Sequence, residues 1–286
     1  MIKSSYIITS RNDHYCGDSV SRLTKTLNFL GEVLNSENSL DTSECILVDW
    51  GSKEIALHKI LDLNEYAKKI TKFIVVPDEI ASKYNDDANF SEVHAMNCGF
   101  RNMSGKYFLR IDQDTLVGRK FVNWINNTPE SELPNLAFSG RRDLNEEESL
   151  SFKEIILNEN LNKNVELAHS YNAYNNIIDN KIYSFWGSAV GVMMVEKSEF
   201  EKLKGFNEDL IYMNQMDIEF TNRLLSNNSI YNLGLKLNFD FYHQFHSKDM
   251  NKKRICNPQL YRNNLFENDN SENWGLKEED LKIFKF

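Results

Sequence analysis

Long apolar runs are missing from the sequence, and none approaches the roughly 20 residues that a membrane-spanning helix needs. The first ten residues, MIKSSYIITS, also lack the apolar stretch and small-residue cleavage site of a secretory signal. We therefore expect a cytoplasmic protein without a transmembrane segment.

Cysteine is scarce and never paired in sequence. The four cysteines lie far apart, with no C-x-x-C spacing, at Cys16, Cys45, Cys98 and Cys256. This pattern argues against a zinc knuckle and against a disulfide framework. Reduced, structural thiols are the simplest interpretation.

Basic charge is in deficit, with 33 Lys and Arg against 42 Asp and Glu and a formal net charge of −9. A nucleic-acid partner is disfavoured because binding to a phosphate backbone requires a dense basic surface. An anionic ligand must instead be held locally, by a few basic side chains, a helix N-terminus or a bound cation.

The sequence does contain alternating strand and helix patterns over its first half. The stretch 18–34 carries apolar residues, mostly leucines, at three- and four-residue steps behind a capping Asp18, and residues 91–103 form a second helical segment. This alternation predicts an α/β fold with a mostly parallel central sheet and helices on both faces. The predicted buried strands are residues 5–10, 44–49, 71–76 and 106–111.

The second half is less regular. Residues 143–181 are acidic and rich in Asn, and we interpret them as an insertion facing a partner or substrate, with a helix over 146–157. A strand is predicted over 186–195, and helices over 196–203 and 217–226. Basic side chains then gather in the polar tail at Lys248, Lys252, Lys253 and Arg254.

The stretch YFLRIDQDTLVG, residues 107–118, ends an apolar strand in two carboxylates, Asp112 and Asp114. Such a pair suits Mg²⁺ or Mn²⁺, since both are hard cations that prefer oxygen ligands. A solvated turn explains an isolated D-x-D equally well, and a phosphatase of the haloacid-dehalogenase type would place its Thr one position later.

In a parallel sheet the carboxyl ends of the strands meet, so Thr9, Ser10, Arg11 and Asp49 belong to the same crevice.

Four segments together resemble family 2-like glycosyltransferases of the GT-A fold, with a galactosyltransferase-like C-terminal half. They are SYIITSRN, ILVDWGSKE, SEVHAMNCGFRNMSGKYFLRIDQD and GFNEDLIYMNQMDIEFTNR. The chain is similar in this to bacterial capsule and chondroitin-type polysaccharide glycosyltransferases. Two positions depart from the family pattern: Trp50 replaces the second Asp of V-D-D-G-S, and Arg110 stands where an apolar residue is expected. A buried Arg110 needs a carboxylate partner, which the sequence does not identify.

The resemblance implies one GT-A domain over residues 1–286. Residues 1–118 would form the nucleotide-sugar-binding half, and residues 119–286 the acceptor-binding half with a C-terminal metal and lid segment. Asp112, Asp114 and His243 would hold Mn²⁺ or Mg²⁺, with His246 as the alternative to His243. Donor contacts are implied for Thr9, Ser10, Arg11, Asp49, Asn97, Asp112, Trp186 and Lys248.

A later motif of the family, W-G-x-E-D-x-E-l-x-x-R, is kept in part. Asp217, Glu219 and Arg223 hold three of its positions, while Met216 replaces the first Glu. By resemblance Asp217 is the general base that takes the proton from an acceptor hydroxyl. The alternative is that Asp217 and Glu219 only favour the first turn of a helix through its macrodipole.

The sequence thus predicts a metal-dependent transferase that moves a hexose or N-acetylhexosamine from a UDP-sugar to a hydroxyl of a glycan or glycolipid, with inversion. Peripheral association with membrane-bound partners is compatible with this interpretation. A catalytically inactive nucleotide- or glycan-binding protein and a retaining transferase remain as alternatives. A sugar nucleotidyltransferase should carry a Gly-rich loop after its first strand, and TSRNDHYCGD is not such a loop.

Overall fold

The computed structural model describes residues 1–157, 177–178, 181–182, 192–212, 216–228, 231–237, 240–247, 257 and 270–286. Within these ranges no helix combines the length and the apolar character that a membrane crossing requires. The predicted donor contacts Trp186 and Lys248, and the basic cluster Lys252, Lys253 and Arg254, lie outside the described residues.

The described strands are β1 (Ser4–Ser10), β2 (Ser43–Trp50), β3 (Thr71–Val76), β4 (Tyr107–Ile111), β5 (Thr115–Val117), β6 (Leu136–Ser139), β7 (Arg142–Asp143), β8 (Ile177–Ile178), β9 (Lys181–Ile182), β10 (Val192–Glu196), β11 (Tyr231–Asn232), β12 (Phe241–His243) and β13 (Lys282–Lys285). The described α-helices are α1 (Ser19–Ser36), α2 (Glu65–Ile70), α3 (Asp78–Asn85), α4 (Glu92–Arg101), α5 (Arg119–Asn127), α6 (Glu146–Leu150), α7 (Phe152–Leu157), α8 (Lys197–Lys202), α9 (Met216–Leu225) and α10 (Leu233–Leu237). Short 3₁₀ turns cover Leu57–Lys59 and Glu130–Glu132.

The described residues form a central sheet of eight strands in the order β11-β6-β10-β4-β1-β2-β3-β13. Strands β1 to β4 pair in parallel, whereas β10 and β13 run against their neighbours. The predicted mostly parallel sheet is confirmed, and its first four strands lie within one residue of the predicted bounds. Short buried runs of Ile, Val, Phe and Tyr give reliable strand signals because both faces of such a strand are apolar.

Helices cover both faces of this sheet, as predicted. Side chains alternate between the faces along each strand, so Tyr6 and Ile8 pack on one side and Ile7 on the other. Helix α1 lies on the first side, and Asp18 caps it by accepting a hydrogen bond from the Ser21 N–H at 3.0 Å. Helices α4, α8 and α9 supply apolar side chains to the second side.

A second, three-stranded sheet in the order β5-β12-β7 lies at the carboxyl end of β4. Strand β12 pairs antiparallel with β5 and parallel with β7. The predicted helix over 146–157 is two helices, α6 and α7, separated at Ser151. Asn145 and Glu148 form a capping box at the start of α6.

Candidate active site

The three-stranded sheet brings together side chains that lie far apart in sequence. His243 on β12 stands opposite Thr115 of β5 on one side and opposite Asp143 of β7 on the other. The Gln244 N–H donates to the Asp114 carbonyl at 3.0 Å, which extends this pairing to the end of the D-x-D turn. The local sheet therefore fixes His243 beside Asp114.

Asp114, His243 and His246 form the group that could hold a metal ion among the described residues, with ligand atoms all within 4.8 Å of one another. His243 Nε2 lies 3.4 Å from Asp114 Oδ1, and His246 Nε2 lies 3.5 Å from Asp114 Oδ2. The Asp114 side chain is almost fully buried. One carboxylate and two imidazoles, each presenting an atom to the same space, fit a divalent transition-metal cation.

Asp114 stays ionised in this setting. Burial raises its pKa, but the hydrogen bond from His243 and the charges of His243, Arg141 and His246 outweigh burial and lower the pKa to about 2. The Arg22 Nε atom, 3.8 Å from Asp114 Oδ2, adds positive charge nearby. Burial lowers the pKa of His243, yet its hydrogen bonds to Asp114 and Asp143 give a net rise. The carboxylate is therefore available to a cation at neutral pH.

Asp112, only two residues away, has different neighbours. Arg110 Nη2 lies 3.3 Å from Asp112 Oδ1, and Arg141 Nη1 donates to Asp112 Oδ2. Arg141 Nη1 also lies 3.4 Å from the Thr115 hydroxyl. Asp112 is thus paired with two guanidinium groups and is not part of the Asp114 group. Its predicted role as a metal ligand stays a prediction.

The partner that Arg110 requires is Glu92, the first residue of α4. Arg110 Nη2 donates to Glu92 Oε1 at 2.8 Å, and Nε lies 3.3 Å from the same oxygen. Burial lowers the pKa of Arg110, but the negative charges of Glu92, Asp112 and Asp217 outweigh burial, and the net pKa is raised. The guanidinium therefore keeps its proton. The apolar context of Arg110 signals that a partner is needed, but not that it comes from α4.

Asp217 is the second residue of α9, and its charge and that of Arg110 influence each other. Its Oδ1 accepts a hydrogen bond from the Ile218 N–H at 2.9 Å. Burial raises its pKa, and the positive charge of Arg110 opposes that rise. A raised pKa suits a general base, because proton transfer is most efficient when the pKa of the base approaches the working pH.

Glu219 and Arg223, the other retained positions of the motif, are structural. Both are nearly fully buried and form an i, i+4 ion pair on α9. Arg223 also donates to the carbonyls of Leu203 at 2.9 Å and Gly205 at 2.8 Å. Gly205 has a φ of +73°, a left-handed conformation that favours glycine at this helix end. These two residues therefore hold the segment after α8 against α9.

The ends of β1 and β4 meet, as predicted, because the Ser10 hydroxyl donates to Gln113 Oε1 at 2.5 Å. Thr9 is buried beside it. Arg11 extends outward and donates to Asp13 Oδ2 at 2.8 Å and to the Asn89 carbonyl at 2.5 Å. These positions border the D-x-D turn, and their contact with a donor stays a prediction.

Asp49 and Asn97 are fully buried, whereas a side chain that contacts a ligand is expected to have some exposed surface. Asp49 has no exposed surface, and it accepts hydrogen bonds from the Ser52 hydroxyl and, at 2.7 Å, from the Leu57 N–H. Asn97 is equally buried, donating to the Phe206 carbonyl and accepting from the Phe206 N–H, each at 2.9 Å. Both side chains are used within the fold, and their predicted donor contacts stay predictions.

Trp50, which replaces the second Asp of the strand signature, is a core residue. Its side chain has no exposed surface and lies on the face covered by α3 and α4. The indole N–H donates to Asn85 Oδ1 at 2.8 Å. Trp50 therefore contributes to packing beneath the carboxyl edge of the sheet rather than to the surface of that edge.

Sequence reasoning missed Glu92, Arg141 and Asp143. The only signal for the last two is the run RRD, residues 141–143, which follows the buried strand β6. A charged run after a buried strand marks a candidate site at the carboxyl edge of a sheet. The pairing of β7 with β12 that brings Asp143 to His243 leaves no trace in the local sequence.

Neither a protein-family model nor a curated protein matches the sequence. Solved structures do match. Staphylococcus aureus TarS 1-349 superposes with a TM-score of 0.53 at 15% identity, covering 85% of this chain and 60% of that one. TarS 1-349 in complex with UDP-GlcNAc gives a TM-score of 0.53 at 14% identity, covering 89% and 62% of the two chains.

The chain has a GT-A fold. A longer TarS structure matches with a TM-score of 0.54 at 14% identity, and the match covers 85% of this chain but 37% of TarS. The chain thus spans less than two thirds of the TarS chains it matches. At these identities the likeness establishes the architecture and not the reaction.

Proposed function

We propose that the protein is a metal-dependent glycosyltransferase that uses a UDP-sugar donor. The observation that carries the proposal is the convergence of Asp114, His243 and His246 at the carboxyl edge of a GT-A sheet. This edge is where open α/β sheets bind ligands. The complex of TarS 1-349 with UDP-GlcNAc supports the choice of a UDP-sugar.

The donor set favours Mn²⁺ over Mg²⁺. Two of its three ligand atoms are imidazole nitrogens, which Mg²⁺ seldom accepts and transition metals accept readily. When bound, such a cation neutralises negative charge on a departing diphosphate. Asp114 and the two histidines would hold it, and Arg22 and Arg141 add positive charge beside them.

Asp217 is proposed as the general base that accepts the proton of the acceptor hydroxyl. The positive charge of Arg110 favours the ionised form of this carboxyl group, which is the form that accepts a proton. The deprotonated acceptor oxygen would attack the anomeric carbon from the face opposite the leaving diphosphate. Such an attack inverts the configuration of that carbon. We propose a hexose or N-acetylhexosamine as the transferred group, and a glycan or glycolipid hydroxyl, in polysaccharide synthesis, as the acceptor.

The test is calorimetric titration of UDP and GDP into the protein with and without Mn²⁺. We expect Mn²⁺-dependent binding that prefers UDP and is lost in Asp114→Ala, because that substitution removes the one ionised ligand. Asp41→Ala is the matched control. Asp41 is exposed and forms an ion pair with Lys69. It lies just before β2, at the edge of the sheet opposite the candidate site. A wild-type protein that binds neither nucleotide under any condition would overturn the proposal.

A catalytically inactive nucleotide-binding protein on the same fold is the second candidate. It is favoured by the buried placement of Asp49 and Asn97, which leaves fewer donor contacts than the family pattern implies. It predicts normal UDP and Mn²⁺ binding without transfer to any acceptor. A screen of UDP-sugars for acceptor-dependent release of UDP separates the two candidates.

A further inference from the structure

Each histidine of the candidate metal site has an oxygen atom next to its Nδ1 atom. His246 Nδ1 lies 3.2 Å from the Ser247 carbonyl, and His243 Nδ1 lies 3.2 Å from Asp143 Oδ1. Carbonyl and carboxylate oxygens accept hydrogen bonds, so the Nδ1 atom of each ring carries the hydrogen. When the rings are neutral, the lone pair lies on Nε2, the atom that faces Asp114 and can ligate a cation beside it.

The two supports are unequal. A backbone carbonyl holds His246, whereas a carboxylate holds His243 and places a negative charge against the ring. A carboxylate behind a ligating imidazole fixes its tautomer and orientation and makes the ligand more basic. Of the two histidines, His243 therefore has the more strongly fixed orientation and the more basic ligand atom.

The position of Asp143 is fixed by the fold. Asp143 stands directly opposite His243 in the parallel pairing of β7 with β12. The Leu144 N–H donates to the His243 carbonyl at 2.9 Å, which locks the register of the two strands. A one-residue slip would turn Asp143 away from the ring, because successive side chains of a strand point to opposite faces.

We propose that Asp143 is a positioning residue for the metal site, acting through His243. It orients the imidazole so that Nε2 faces Asp114, and so raises the affinity of the site for Mn²⁺. This inference rests on the proposed metal site, but it assigns a role to a residue outside the resemblance on which that site was predicted.

The experiment is Mn²⁺ titration of wild type, Asp143→Asn and Asp143→Ala, followed by calorimetry. We expect affinity to fall about 10-fold in Asp143→Ala, near the lower end of the range for such supporting residues because Asp143 is half exposed. Asp143→Asn should fall less, since its amide oxygen still accepts the hydrogen bond. Glu146→Gln removes one negative charge from the exposed start of α6 and is the control for general electrostatics.

A second measurement separates positioning from folding. Nitrogen-15 NMR of the imidazoles in the metal-free protein, at a pH where the rings are neutral, should show the Nδ1–H tautomer of His243 in wild type and a mixture of tautomers in Asp143→Ala. Unchanged Mn²⁺ affinity and tautomer in Asp143→Ala would overturn the inference. Equal losses in Asp143→Ala and Glu146→Gln would also overturn it. If wild type binds no Mn²⁺, the proposed metal site itself fails, which is a different result.

Discussion

Two carboxylates separated by one residue have opposite surroundings. Asp112 belongs to an arginine cluster, which comprises Glu92, Arg110, Asp112 and Arg141. Asp114 belongs to a histidine cluster, which comprises Asp114, His243 and His246. Arginine keeps its proton and donates hydrogen bonds only, whereas a neutral imidazole offers a lone pair to a cation.

The difference teaches that a D-x-D motif need not act as one unit. Asp112 follows β4 and lies next to Arg110 of that strand. Arg110 in turn forms a salt bridge with Glu92 of α4. Asp114 precedes β5 and faces β12. We therefore expect the arginine cluster to orient the reacting groups and the histidine cluster to bind the metal.

The largest expected effect concerns Asp217, which lies under the influence of Arg110. Asp217→Asn should lower turnover by about 10²- to 10⁴-fold, as expected for loss of a general base. Affinity for UDP and Mn²⁺ should stay close to that of wild type, because the histidine cluster is untouched. Steady-state kinetics and calorimetry on the same preparation check both halves of this expectation.

Turnover that survives in Asp217→Asn would assign the base elsewhere or indicate a retaining reaction. A parallel loss of UDP affinity would instead show that the two clusters are not independent. Thr24→Ala on α1 serves as a preparation control, since the partly exposed Thr24 hydroxyl donates to the Val20 carbonyl of its own helix.

The second prediction compares the two carboxylates directly. Asp114→Asn should weaken Mn²⁺ binding by at least about 100-fold, the upper end of what loss of a supporting residue costs. Asp112→Asn should weaken it by less than about threefold if the arginines keep Asp112 away from the cation. Equal losses in the two variants would place Asp112 among the ligands and contradict the division.

The sheet was predictable because its signals are local. The first four strands are short apolar runs with strand-forming residues, and α1 has regular leucine spacing behind a capping Asp18. Each signal is complete within about twenty residues. Three strands of this sheet are not predicted from the sequence: the four-residue β6, the two-residue β11, and β13, KIFK, which is mostly exposed.

The candidate site was predictable only in part, for a physical reason. Asp114 and His243 were named from motifs, and the structure brings them within 3.4 Å. The residues missed from sequence are Asp143 beside His243, and Glu92 and Arg141 of the arginine cluster. They come from β7, from α4 and from the residue just before β7, and they act through charge across the fold. Such pairs depend on strand register and helix placement, which no local spacing encodes.

The smallest expected effect is the coupling between Arg110 and Glu92. Arg110→Met leaves Glu92 and Asp112 without their shared cation, and Glu92→Gln removes one of the two carboxylates. Removing one partner of a fully buried ion pair costs roughly 3–5 kcal/mol, but Glu92 is about one-third exposed and solvent screens the pair. We therefore expect a coupling of about 1 kcal/mol, roughly fivefold in the unfolding equilibrium, from a double-mutant cycle in urea. A cycle without coupling would mean that Glu92 does not help to hold Arg110, and the arginine cluster would then lose its connection to α4.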